Sequence, residues 1–152
     1  MGIRLSPEEA WSFLEKGHTG ILTSLRRDGW PISLPVWYVV QDRKIYVSGP
    51  ARTRKFGRMR RDPRVAFLVE SGLAWKDLAA VHVTGRARIV TDLAELERVQ
   101  KVMDAKYDAF RTQRSKMPAA TAEHYQRETA AVCIEPEGKL LTWDNARLGI
   151  RD

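Results

Sequence analysis

Apolar residues recur at helical spacing near the start of the chain and switch to β-branched and aromatic runs from residue 19. They return to helical spacing after Asp92 and close in a strand-like run. Ser6-Pro7-Glu8-Glu9 is a helix start, with Ser6 as cap, Pro7 at the first helical position and Glu9 three residues past the cap. Ala10, Trp11, Phe13 and Leu14 make one apolar face, and the helix is expected to end near Gly17. Thr19 to Leu25 and Pro31 to Val40 read as strands joined through Asp28-Gly29, and Val36 to Val40 and Lys44 to Ser48 flank a second turn. These three strands are expected to form a meander. Arg64 to Glu70 and Ala79 to Val90 follow as strands. Asp92 is placed to cap a helix carrying Leu93, Leu96, Val99, Val102, Met103 and Phe110 at helical spacing. Residues 111–119 are polar and Pro-broken, a short helix is expected over 120–128, and the last strand, 130–143, is interrupted at Pro136-Glu137-Gly138. Six antiparallel strands with peripheral helices fit a closed barrel, which removes exposed sheet edges.

Between two of these strands lies the densest chemistry. Residues 48–65 hold seven cationic side chains, preceded by a Gly-Pro turn and followed by an Asp-Pro stop. Thr53 is expected to cap the helix that begins there, leaving first-turn N–H groups to face an anion, with Arg52, Arg54 and Lys55 around that spot. A ligand phosphate would collect charge-assisted hydrogen bonds from them. Arg58 continues the cluster, whereas Arg60 and Arg61 read as solvated residues beside the Asp62-Pro63 stop.

The chain has 152 residues, 43% of them apolar, enough for one domain with a real core. Its net charge of +7 favours an anionic partner. Met1 to Leu5 lacks the apolar segment of a signal peptide, and no apolar run approaches the ~20 residues a membrane helix needs, so a cytoplasmic protein is expected. Cys133, the single cysteine, sits in an apolar strand and reads as a core thiol. His18, His82 and His124 are scattered singly, which argues against a metal site. No Ser-His-Asp, Cys-His or paired-carboxylate arrangement stands out.

The order of parts, namely helix, strands, Thr53-Arg54-Lys55 on a short helix, Asp62-Pro63-Arg64-Val65 strand and terminal Trp143-Asp144-Asn145, resembles the pyridoxamine 5'-phosphate oxidase-like superfamily, in particular its flavin and deazaflavin oxidoreductases. The resemblance implies a mainly β fold with peripheral helices: a six-stranded antiparallel split β-barrel of the FMN-binding type, homodimeric, with cofactor clefts between subunits. It places the cofactor ring along Leu34-Pro35-Val36-Trp37 and the phosphate at Thr53-Arg54-Lys55, near Ser48, Arg52 and Arg58. Pro35 lacks the N–H that a central strand needs, which by itself implies an edge. Alternation sends one of Trp37 and Tyr38 into the core, and Trp37 is assigned to the cleft. The resemblance further brings Trp75, Trp143 and Asn145, with Arg147, to the partner-side wall. The number of cations favours coenzyme F420, a deazaflavin with a polyanionic tail, with FMN as the alternative. The implied function is reduction of a small unsaturated or quinone-like compound. A cofactor carrier without turnover is a second class. A nucleic-acid-binding barrel is a third, disfavoured because the cations concentrate at one turn with only Phe56 interleaved.

Overall fold

The computed structural model describes residues 2–125 and 128–151. Helix α1 (Pro7–Lys16) begins in the expected capping box, with the Glu9 amide donating to Ser6 Oγ at 3.2 Å and the Ser6 amide donating to Glu9 Oε2 at 2.8 Å. The strands are β1 (Gly20–Leu25), β2 (Pro31–Val36), β3 (Val39–Gln41), β4 (Lys44–Pro50), β5 (Arg64–Ser71), β6 (Ala79–Ile89), β7 (Thr129–Pro136) and β8 (Leu141–Asp144). Between them lie α2 (Arg54–Arg61), α3 (Leu93–Tyr107) and α4 (Ala119–Tyr125). The short helix expected over 120–128 is present as α4, and its positions 126 and 127 lie outside the described residues.

All pairings are antiparallel, in the order β2-β1-β5-β6-β7-β4-β3, with β8 also on β6. This is a split β-barrel, mainly β with helices at its periphery. Six expected strands become eight because two runs break. The final run divides around Gly138, where φ is positive, and β6 serves both parts: Gly85–Ile89 pairs with β7 and Ala79–His82 with β8.

The expected meander is corrected. The run expected over 31–40 is not one strand, because β2 pairs only with β1 and β3 only with β4, at opposite edges of the sheet. Trp37 and Tyr38 carry the chain between the two edges, and a side chain takes over the ladder's work there. Tyr107 Oη accepts from the Tyr38 amide at 2.9 Å and lies within donating distance of the carbonyls of Tyr38 (2.8 Å) and His18 (2.7 Å). The fully buried Tyr38 donates its hydroxyl to the Leu14 carbonyl at 2.6 Å, which ties α1 to the same point. A buried backbone group without a partner is costly, so these bonds hold the split in place.

Two layers of apolar packing result. Inside the curl, Leu14, Tyr38, Val47, Phe67 and Ile134 meet Phe56 and Met59 from α2. Outside it, α3 covers Tyr46, Ala131 and Cys133 with Val99, Met103 and Tyr107. Strand β4 therefore buries both faces, Ile45 and Val47 inward and Tyr46 outward. Phe110, expected on the core face of α3, falls on a turn beyond the helix and is exposed. The β3–β4 turn consists of Asp42 and Arg43, both at positive φ, as a two-residue hairpin of the favoured twist requires.

Candidate functional site

A cleft of about 870 Å³ opens where the edge strand β2 approaches the end of β4. Pro35, Val36 and Trp37 form one wall, Ser48, Gly49 and Pro50 with Thr53 and Lys55 another, and Gln100 and Met103 of α3 a third. Residues of the 110–125 segment, among them Phe110, Arg111, Arg114, Met117 and Tyr125, cover it. Its lining includes no carboxylate, while Lys55 and Arg114 carry positive charge and Arg111 is paired with Asp104 and Asp108. The cleft is therefore a place of positive potential enclosed by low-dielectric walls, which favours an anion.

The anionic end of a ligand would meet the β4–α2 turn. Thr53 occupies the N-cap position, but its side chain makes no capping bond, which corrects the expected cap. Instead Thr53 Oγ1 is buried with no hydrogen-bond partner among the described residues. Two residues on, the Lys55 ammonium rests over the Phe56 ring at 5.4 Å and forms no ion pair with any described residue. Burial pushes its pKa down, and the Arg58 charge adds to the effect. Gly49 leaves room for this head group, since a Cβ there would stand 3.2 Å from Lys55 Nζ. The turn thus presents a half-buried ammonium and an unsatisfied hydroxyl two residues apart.

The opposite wall is aromatic. Trp37 stacks on Tyr107 with ring centroids 4.5 Å apart and an interplanar angle of 6°. His18 stands edge-on to Phe110 at 4.5 Å and to Tyr107 at 5.3 Å. Strand β2 has no neighbour beyond β1, so the outer side of its backbone belongs to no ladder. Such a wall suits a planar ring with polar edges. On α3, Gln100 Nε2 donates to Asp104 Oδ1 at 2.9 Å, while Gln100 Oε1 is buried and unpartnered.

Of the residues singled out in the sequence, Pro35, Val36, Trp37, Ser48, Thr53 and Lys55 converge on this cleft. Leu34 is exposed on the edge strand, and Arg52 and Arg54 are exposed outside the lining. Arg58 turns toward β1, where its Nε donates to the buried Ser24 Oγ at 3.1 Å, and burial together with Arg26, Arg61 and Arg54 lowers its pKa. Trp75, Trp143 and Asn145 gather instead where β8 joins β6, with Asn145 Nδ2 donating to the Trp75 carbonyl at 2.7 Å. Sequence reasoning missed Gln100, Met103 and the cover. The cations at 111 and 114 within a polar stretch were the available signal for the cover, whereas nothing in the spacing marks Gln100.

Among the described residues no group of three His, Cys, Asp or Glu side chains could hold a metal ion, and no helix is long and apolar enough to cross a membrane.

A family model described as pyridoxamine 5'-phosphate oxidase matches residues 6–138. Among solved structures, a conserved hypothetical protein from Mycobacterium tuberculosis is 30% identical, with 99% of this chain and 92% of that chain covered at a TM-score of 0.83. A FAD-binding protein from Mesorhizobium loti is 22% identical over 91% of this chain and 94% of that one, with a TM-score of 0.69. An F420 reductase is 21% identical over 88% and 97%, with a TM-score of 0.65. At those identities the last two show the shared fold alone. No curated protein matches the chain.

Proposed function

The chain belongs to the pyridoxamine 5'-phosphate oxidase family, and we propose that it is an oxidoreductase whose cleft holds a flavin-type cofactor, with the phosphate at Thr53 and Lys55. The observation that carries this reading is the pair of unsatisfied groups at the β4–α2 turn. A half-buried ammonium without an ion-pair partner and a buried hydroxyl without a hydrogen-bond partner, among the described residues, are both costly, and a phosphate oxygen relieves both. The likeness to a FAD-binding protein and to an F420 reductase supports the same class of ligand.

The bound cofactor supplies the hydride chemistry; the chain binds, orients and encloses it. Lys55 and Thr53 would hold the phosphate, and Pro35, Val36 and Trp37 would set the plane of the ring. The 110–125 segment would exclude water over it. Coenzyme F420 in its reduced form, acting on a small unsaturated or quinone-like substrate, is the preferred reading, because Arg114 extends positive charge beyond one phosphate in a cleft whose lining has no carboxylate. FMN is the second reading, favoured by the placement of Arg52, Arg54 and Arg58 outside the lining, which leaves the turn matched to a single phosphate. Trp75, Trp143 and Asn145 would complete the site only from a second copy, in a homodimer.

Paired fluorescence titrations with F420 and FMN at two salt concentrations test the proposal. Micromolar, salt-sensitive binding of F420 with weak FMN binding is the expected result. Tight FMN binding alone moves the reading to a flavin oxidoreductase, and binding of neither refutes it. A turnover assay with the reduced cofactor separates an enzyme from a carrier.

A further inference from the structure

We propose that Gln100 is a specificity-determining residue of the cleft, accepting a hydrogen bond from an N–H or O–H group of the bound cofactor; this rests on the reading of the cleft as a flavin-type site. Gln100 Oε1 is buried, faces no hydrogen-bond partner and belongs to a residue that lines the cleft. Its orientation is set from behind. Asp104, one turn further along α3, receives Gln100 Nε2 at 2.9 Å and Arg111 Nη1 at 2.7 Å on the same oxygen. A carboxylate only accepts, so the amide must turn its NH₂ toward Asp104 and its carbonyl oxygen away from it. Flipping the amide would set oxygen against oxygen.

The consequence is a second chemical demand on the ligand. Lys55 and Arg114 of the lining are donors that face a ligand's acceptors, whereas Arg111 is already paired with Asp104 and Asp108. Gln100 Oε1 asks for the reverse. A phosphate or carboxylate satisfies the first set and not the second, so the ligand must carry an anion for Lys55 and, elsewhere along its length, a donor for Gln100. A flavin-type molecule has such donors in its ring N–H and in the hydroxyls of its polyol chain, whereas inorganic phosphate has no such extended donor-bearing part. Asp104 and Arg111 act through Gln100 as positioning residues.

The test compares wild type, Gln100→Met and Lys55→Met in fluorescence titrations with FMN and F420, alongside thermal melts of the ligand-free proteins. Gln100→Met should weaken binding about 3- to 10-fold, the range of one neutral hydrogen bond. The ligand-free melting temperature should stay level or rise, because an unpaired buried carbonyl is removed. A merely structural role would lower the melting temperature and leave affinity alone, which overturns the proposal. Wild-type binding that Lys55→Met weakens and Gln100→Met leaves unchanged overturns this inference and spares the cofactor reading; wild type that binds neither cofactor overturns both. Should Gln100→Met not fold, Gln100→Leu decides in the same titrations: affinity for FMN and F420 equal to that of wild type sinks the proposal.

Discussion

Replacing Lys55 by Met keeps the unbranched stem, one atom shorter, and removes the charge from a place where charge is costly. In the ligand-free protein, burial and the nearby Arg58 lower the Lys55 pKa below the ordinary lysine value of 10.5. The unfolded chain therefore binds more protons than the folded one between that lowered pKa and 10.5, so this group makes stability rise with pH across that window. Lys55→Met lacks that rise, and at neutral pH the variant should be at least as stable as wild type in urea. Binding should move the opposite way. A charge-assisted hydrogen bond contributes roughly 1.5 to 3 kcal/mol, which at about 1.4 kcal/mol per decade is a one- to two-order loss of affinity for FMN and F420. Fluorescence titrations at pH 7 and two salt concentrations measure it, and the salt sensitivity of wild-type binding should shrink in the variant. An unchanged dissociation constant would refute the placement of phosphate at this turn. Loss of stability together with binding would mean that Lys55 is structural.

Three further outcomes follow from the split of the barrel and its packing. Tyr107→Phe keeps the ring that stacks on Trp37 but removes the partner of the Tyr38 amide, and should cost about 1 to 3 kcal/mol in urea unfolding; an unaltered midpoint would show that the hydroxyl does not replace the ladder. Lys106 donates to the Tyr38 carbonyl at 3.0 Å, and burial pushes its pKa down to about 8. Since the unfolded state holds this proton up to 10.5, wild type should gain stability over Lys106→Met as pH rises from about 8 toward 10.5, and a constant difference would refute the shift. Gly20→Ala would drive a Cβ into the Phe67 ring, and overpacking of this kind costs roughly 1 to 3 kcal/mol, so a wild-type melt would mean that the ring lies elsewhere.

Much of the local architecture was legible because it rests on groups close in sequence. The Ser6–Glu9 capping box, the Asp28-Gly29 turn and the bounds of α2 depend on interactions spanning a few residues, and the structure carries each of them. The anion turn was legible for the same reason, but only in part. Helical rotation sends Lys55 into the cleft, leaves Arg54 in solvent and directs Arg58 to Ser24, and a count of cations cannot distinguish these directions. The turn between Val40 and Lys44 was legible from its flanking runs, and the structure narrows it to Asp42 and Arg43, both at positive φ.

The amino-acid sequence by itself determined the helices, the strand-forming runs, the edge character implied by Pro35 and the position of the cationic turn, since periodicity, caps and proline chemistry act within a few residues. Tertiary structure alone decided that run 31–41 divides between opposite edges of the sheet. It also decided that Tyr107, 69 residues away, closes that division, and that Thr53 and Gln100 are left unsatisfied in one cleft. These are long-range facts. A hydrogen-bond partner supplied from a distant element, or its absence, is a property of how the sheet curls, and no local pattern encodes it.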